Sequence, residues 1–222
     1  MIVYLAKEIQ YFIVGLLIVI FSITSYLDIK YREVPIYIWY FSSKVGLILS
    51  FIAFYYYYPL NTLIIYYLIS ILSILGIVIA HFIGHLGGGD LWASVFLALS
   101  LPINPFGGFL PPILLILLYS AILELSTRIF LTSSECIKAK IYKRKCLTSA
   151  PIKGIDLINN DKYKWYFAEK STKNISIDDP HETILLESKG DLNKIIWVQP
   201  GLPFLVFILI SIPLALITGR LI

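Results

Sequence analysis

The sequence is poor in charged residues, which excludes most soluble folds. Asp, Glu, Lys and Arg make up 14% of its 222 residues, whereas 58% are hydrophobic. Soluble domains carry about 25% charged and about half apolar residues. With a mean hydropathy of +0.82, the composition is typical of an integral membrane protein. The lipid bilayer is therefore the first expected partner.

Cysteine is nearly absent, and no secretory signal peptide is evident. Cys136 and Cys146 form neither a paired zinc motif nor a disulfide framework. Because they fall in a segment assigned below to the cytoplasm, we expect ordinary thiols. The first apolar run leads directly into Asp28 and Lys30 rather than a small-residue cleavage site, so it is expected to stay in the membrane.

Long apolar runs dominate the chain. A helix of about 20 residues crosses a hydrocarbon core of about 30 Å. The sequence therefore predicts an all-α polytopic membrane protein with about six transmembrane helices. The fourth run is long enough only if its helix begins at Asp90. The predicted spans are residues 9–27, 36–58, 62–83, 91–101, 113–131 and 204–218.

A polar segment interrupts the apolar pattern before the last span. It suggests three parts: residues 1–131 with helices one to five, a soluble insert at 132–199, and the last helix within 200–222. The insert opens on Thr132-Ser133-Ser134-Glu135, a predicted capping box that would start a new helix. Its strand-like stretches predict a small mixed or β-rich unit. These stretches are residues 162–168, 183–186 and 195–198.

Basic residues set the expected orientation. Lys30, Arg32, Arg128, Lys138 and Lys140 fall in or beside segments that share one membrane side if the spans alternate. The positive-inside rule then predicts a multi-pass protein of the cell membrane with its N-terminus outside and the insert in the cytoplasm. The net charge of +4 is explained by these segments, and no nucleic-acid partner is expected.

Two aspartates occupy matching places in this topology. Asp28 ends the first span and Asp90 begins the fourth, with two crossings between them, so both carboxylates are predicted at the cytoplasmic face. If the two helices pack together, repulsion keeps both groups from ionising and one proton is shared. Such a pair is the catalytic device of aspartic proteases. Taken singly, each aspartate could instead be a helix N-cap or a solvated end residue.

Three glycines precede Asp90. Gly87, Gly88 and Gly89 lack a Cβ, so they would let a substrate backbone approach and could adopt positive φ values. We therefore expect them to contact substrate. An ordinary turn is the alternative interpretation.

Two short motifs in this sequence resemble those of a known family. Gly87-Gly88-Gly89-Asp90 matches a GxGD signature, and Asp28 with the following residues 30–35 resembles the first-aspartate region of type IV prepilin peptidases. The chain is most similar to the archaeal preflagellin and prepilin peptidases of that family. The resemblance implies that Asp28 and Asp90 are catalytic, and that the substrates are pilin or archaellin precursors with a short basic leader. Many bacterial relatives carry a cysteine-rich zinc region and also methylate the new N-terminus; this sequence has no such cysteine set, so the resemblance implies peptidase activity alone. No metal or cofactor is expected.

Other interpretations remain open at this point. The aspartates could relay protons in an ion-coupled transporter, or the chain could be a non-catalytic component of a secretion assembly. Lys44 could pair with Glu124, although Arg128 is a rival partner for Glu124 at i,i+4 spacing. His81 and His85 are also one turn apart, but no third ligand completes a metal site.

Overall fold

The structure is a computed structural model, and it describes residues 2–82, 87–108, 110–141, 144–168 and 193–220. The chain divides into two compact units, one formed by residues 1–121 with 203–222 and the other by residues 122–202. The predicted fold class is confirmed: most of the described chain is helical, and a small antiparallel sheet precedes the last long helix.

Long helices build the first unit. They are α1 (Ile2–Tyr31), α2 (Ile36–Tyr55), α3 (Leu60–Phe82), α4 (Gly88–Ser100), the first part of α5 (Pro112–Lys138), and α7 (Phe204–Thr218). Among the described residues, α1, α2, α3 and α5 contain segments long and apolar enough to cross a membrane. The other two expected spans are shorter, with 13 residues in α4 and 15 in α7. At about 1.5 Å per residue, α4 is only about 20 Å long.

An irregular segment continues the chain beyond α4. Leu101 and Ile103 are buried, as is Asn104. Its side-chain amide donates to the carbonyl oxygen of Leu216 at 3.2 Å, and its side-chain oxygen accepts from the N–H of Phe106 at 3.0 Å. Non-helical backbone inside a membrane protein needs such internal partners because lipid offers none. Asn104 thus connects the segment after α4 to α7.

An aromatic cluster fixes α4 against its neighbours. The rings of Phe21 in α1, Trp39 in α2 and Phe96 in α4 are fully buried. Their centroids lie 5.6 to 6.2 Å apart. At Gly46 in α2, an added Cβ would overlap the side chain of Ser100, so these two helices approach closely. This packing sets the position of the first turn of α4 relative to the end of α1.

In the second unit, α5 runs without interruption through the expected helix start at Thr132. The Thr132 hydroxyl donates to the carbonyl oxygen of Arg128 at 2.9 Å, one turn earlier in the same helix. The capping-box prediction is therefore wrong, because this side chain bonds back to a continuing helix instead of capping a new one. Glu135 instead accepts hydrogen bonds from Lys162 at 2.5 Å and Tyr163 at 3.1 Å.

The sheet of this unit has three antiparallel strands in the order β1-β3-β2. The strands are β1 (Ala150–Lys153), β2 (Tyr166–Ala168) and β3 (Ile195–Pro200), and a short helix α6 (Gly154–Asn159) follows β1. Two predicted strands are confirmed, although β2 is shorter than expected because residues 161–163 form a 3₁₀ turn. The predicted strand at 183–186 lies outside the described residues, and β1 was not predicted.

Cys136 and Cys146 form a disulfide with their Cα atoms 6.0 Å apart. The expectation of two ordinary thiols is therefore wrong. The chain turns back after α5, where Ile141 N–H donates to the Cys136 carbonyl oxygen at 3.0 Å, and this turn brings the second cysteine to the first. Sequence spacing alone does not reveal such a reversal.

Two adjacent glycines allow a test of the packing between the end of α7 and the loop before α5. Gly107 and Gly108 have φ values of +98° and +113°, and an added Cβ meets nothing within 4 Å at Gly107 but overlaps the Gly219 carbonyl at Gly108. We expect Gly107→Ala to lower the free energy of unfolding by about 1–2 kcal/mol through backbone strain. Gly108→Ala should cost clearly more. Unfolding in mixed micelles measures both, and equal losses would contradict the packing.

Candidate active site

A cavity of about 700 Å³ opens where α1 ends and where α4 and α7 begin. The first unit alone forms it. Both candidate aspartates line this cavity, as do the three glycines before Asp90. The other polar side chains that line it belong to Tyr31, Arg32 and Glu33, and Leu205 of α7 also lines it.

Asp28 lies half-buried in the last turn of α1. The backbone N–H of Leu205, in the first turn of α7, donates a hydrogen bond to its carboxylate. The α1 helix ends here because Arg32 adopts a left-handed conformation with φ 58°, and its N–H donates to the Asp28 carbonyl oxygen at 3.1 Å. This bond is the αL pattern of helix termination. The predicted position of Asp28 at a helix end is thus observed.

Asp90 lies in the first turn of α4. The helix N-cap is Gly87, with φ −70° and ψ 155°, so the alternative that Asp90 itself is the N-cap is wrong. The Asp90 side chain turns back toward the cap, because a Cβ added to Gly87 would lie 3.6 Å from Asp90 Oδ2. A carboxylate in the first turn is stabilised by the positive end of the helix dipole.

The three glycines do not serve the conformational role expected of them. Gly87 has a negative φ, and Gly88 and Gly89 are helical. The positive-φ glycines of the described chain are Gly107 and Gly108. A Cβ added to Gly89 would meet nothing within 4 Å, and one added to Gly88 would meet only His81 Cε1 at 4.0 Å. Folding therefore does not require glycine at Gly89, and its absent side chain leaves the cavity wall open.

Arg32 is a third charged residue of the site, whereas its place in the sequence predicted only membrane topology and a family resemblance. Its guanidinium interacts electrostatically with both Asp28 and Asp90. Burial lowers the pKa of Arg32 from its usual value, and the two carboxylates oppose that effect. The i,i+4 spacing of Asp28 and Arg32 was the signal in the sequence. Leu205 carried no comparable signal, since it acts through its backbone.

The remaining candidates lie elsewhere or are paired. Glu124 forms a salt bridge with Arg128 at 2.7 Å, so the rival pairing is the one observed. The Lys44 ammonium lies over the Tyr40 ring at 4.0 Å. His85 falls outside the described residues. Within the part of the chain that the structure describes, no three His, Cys, Asp or Glu side chains form a candidate metal cluster.

The type IV leader peptidase family matches residues 15–128 of the chain. The chain belongs to this family. The matched segment begins inside α1, contains both aspartates and all three glycines, and ends inside α5. No curated protein matches the sequence at a significant level. Family membership and the apolar helices together establish a membrane-associated peptidase.

A cross-linking experiment tests the geometry of this leader peptidase without any assay of its activity. Cysteines placed at Asp28 and Asp90, in a chain whose Cys136 and Cys146 are serine, should be joined by a short bifunctional thiol reagent. Lys30 serves as the control, because it is exposed on the same helix end and does not line the cavity. Mass spectrometry should detect a cross-link between cysteines at positions 28 and 90, but none between cysteines at positions 30 and 90. Equal yields would contradict the shared cavity.

Proposed function

We propose that this protein is an aspartic endopeptidase in which Asp28 and Asp90 activate water together. Its proposed substrates are prepilin-like or archaellin precursors, from which it removes a short basic leader. The proposal is supported chiefly by one observation: two carboxylates from separate helices line the same cavity, and both fall within the segment that matches the peptidase family.

The chemistry requires one ionised and one protonated carboxyl group. The carboxylate takes a proton from water as the water oxygen bonds to the scissile carbonyl carbon. The protonated partner donates its hydrogen to the carbonyl oxygen, which would otherwise carry a full negative charge. When the tetrahedral intermediate collapses, one of its hydroxyl groups returns a proton to the partner carboxylate as the C=O bond re-forms. The C–N bond breaks, and the leaving amine takes up a proton from the first carboxyl group. The acid pair then returns to its starting state.

The surroundings of the pair suit this chemistry because they offer fixed positive charge. Asp90 lies at the N-terminal end of α4, and Asp28 accepts a hydrogen bond from an N–H at the N-terminal end of α7. Helix N-termini stabilise anions. Arg32 adds a full positive charge that reaches both groups. A negative charge can therefore persist in a half-buried cavity.

The cavity wall at Gly89 carries no side chain, which supports access for an extended substrate segment. A peptide bond inside a helix is shielded, so the helix of a membrane-bound precursor must unwind locally before it is cut. Unwinding costs least at the membrane boundary, where water replaces the lost hydrogen bonds. An unwound segment has space beside Gly89, since even an added Cβ there would meet nothing within 4 Å among the described residues.

A proton-relay transporter is less well supported. Acids that serve transport typically lie near the middle of the membrane, whereas Asp28 is in the last turn of α1 and Asp90 in the first turn of α4.

The proposed sidedness keeps the N-terminus outside and both the site and the insert in the cytoplasm. The disulfide of the second unit argues against that sidedness, because stable disulfides are uncommon in most cytoplasms.

Removing either carboxylate should abolish cleavage. We expect Asp28→Asn and Asp90→Asn each to lower the cleavage rate at least about 100-fold, since general acid–base catalysis contributes about 10² to 10⁴. Detergent-solubilised protein is incubated with a precursor that carries a basic leader, and the shortened product is followed by gel mobility and mass.

The matched control for these variants is Asp156→Asn, at an exposed position in α6 of the second unit. It should cleave at the wild-type rate. EDTA should leave the reaction unchanged, because the proposed chemistry uses no metal. Substantial cleavage by either active-site variant would remove the dyad from the proposal.

A bulky side chain at Gly89 should block access without unfolding the protein. Gly89→Leu fills open space in the cavity, so we expect turnover to fall at least about tenfold with an unchanged melting temperature. Gly76→Leu in α3 is the control, since a Cβ there also meets nothing within 4 Å and the position is outside the cavity. If both leucine variants cleave equally well, the open wall has no role in substrate access.

A further inference from the structure

Arg32 occupies a backbone position that suits glycine. Its φ of 58° is in the left-handed region, which residues with a Cβ adopt only at an energetic cost. The residue terminates α1 through the N–H bond to the Asp28 carbonyl oxygen at 3.1 Å, and glycine is the usual residue at this point of the motif. A strained residue retained beside a functional site suggests a role for its side chain.

Arg32 lines the active-site cavity, and its guanidinium interacts electrostatically with both aspartates there. It is partly buried and lines the same cavity as both aspartates. Burying a guanidinium is costly unless opposite charges compensate for its lost hydration. Asp28 and Asp90 both offset part of that cost. The relation is reciprocal, because the guanidinium also offsets the repulsion between the two carboxylates.

We propose that Arg32 is a positioning residue of the active site, whose guanidinium holds the carboxylates of Asp28 and Asp90 together and governs the pH range over which they share one proton. The inference rests on the proposed function of the pair. It adds a third charged residue to the site and assigns a purpose to the strained end of α1.

The other groups around the cavity cannot replace Arg32. Among the described residues that line it, Arg32 has the one cationic side chain. Glu33 also lines the cavity and adds negative charge, so it increases the need for a cation, and Tyr31, another lining residue, carries no positive charge. From α7 the contribution to Asp28 is a backbone N–H, and from α3 His81 lies beside Gly88. Among these groups, the guanidinium of Arg32 supplies the permanent positive charge.

The direction of the effect on pH follows from electrostatics. A nearby cation favours the ionised form of a carboxyl group. When the cation is removed, the pair binds its first and its second proton at higher pH. The singly protonated state, which performs the reaction, therefore moves to higher pH as well. A residue that only supported the fold would lower the rate without moving the pH profile.

The first experiment compares pH–rate profiles for precursor cleavage. Arg32→Gln should move both limbs of the profile to higher pH, by about one unit or more. Arg32→Lys keeps the positive charge but loses the planar guanidinium group with its several N–H donors. Both limbs of its pH–rate profile should therefore stay near those of the wild type, while kcat falls. A uniform loss of rate at every pH in Arg32→Gln would overturn the proposal.

A glycine variant distinguishes the contribution of the Arg32 side chain to activity from its contribution to stability. Arg32→Gly relieves the backbone strain, so we expect a melting temperature at or above that of the wild type together with at least a tenfold lower cleavage rate. Lys140→Gly is the matched control, because Lys140 also has a positive φ of 55° and is exposed in the second unit. It should gain stability and keep full activity. Wild-type activity in Arg32→Gly would overturn the proposal.

A substrate-free measurement keeps this test independent of the proposed peptidase activity. Hydrophobic carbodiimides react with protonated carboxyl groups, and mass spectrometry locates the adducts at Asp28 and Asp90. The pH of half-maximal labelling should be higher in Arg32→Gln than in the wild type. If the wild type cleaves no precursor but this shift is observed, the proposed substrates are wrong and the role of Arg32 stands. An unchanged labelling midpoint overturns the role of Arg32 even if cleavage is observed.

Discussion

Two carboxylates in one half-buried cavity repel each other, and the site depends on positive charge that offsets this repulsion. The charge comes from three elements: the first turn of α4 around Asp90, the backbone N–H of Leu205 at the start of α7, and the guanidinium of Arg32. All three are located at helix ends, where backbone groups are not used within the helix. A site built in the middle of these helices would lack the first two.

This requirement explains why helix packing matters to chemistry at one end of the first unit. The packed rings of Phe21, Trp39 and Phe96 fix α4 against α1 and α2. Close approach at Gly46 keeps α2 and α4 in register. Asn104, in the irregular segment that follows α4, donates to the Leu216 carbonyl oxygen in α7 and accepts from the Phe106 N–H, so it connects this segment to α7. Together these contacts position Asp90 without using any residue of the cavity itself.

The second unit has its own stabilising contacts. Glu135 joins the end of α5 to the turn before β2 through Lys162 and Tyr163, and the Cys136–Cys146 disulfide closes the turn after α5. Buried Tyr163 and Tyr166 belong to the small core beneath the sheet, and burial raises the pKa of Tyr166 to about 12. The family match ends at residue 128, before these contacts begin. The family thus accounts for the candidate catalytic residues, whereas the stability of this unit rests on residues outside the match.

The sequence by itself determined the features that depend on composition and on spacing along one chain. Long apolar runs predicted the helices, because a bilayer requires them, and alternation of the spans placed Asp28 and Asp90 at the same end of the bundle. Only the tertiary structure decided what depends on chain reversals and backbone angles. These features are the disulfide across a turn, the continuation of α5 through Thr132 and the positive φ of Arg32 where Gly87 was expected to have one. The hydrogen bond from a backbone N–H of α7 to Asp28 also belongs to them. Contacts between residues as distant as Asp28 and Leu205 leave no local pattern, since they arise only when separate helices pack.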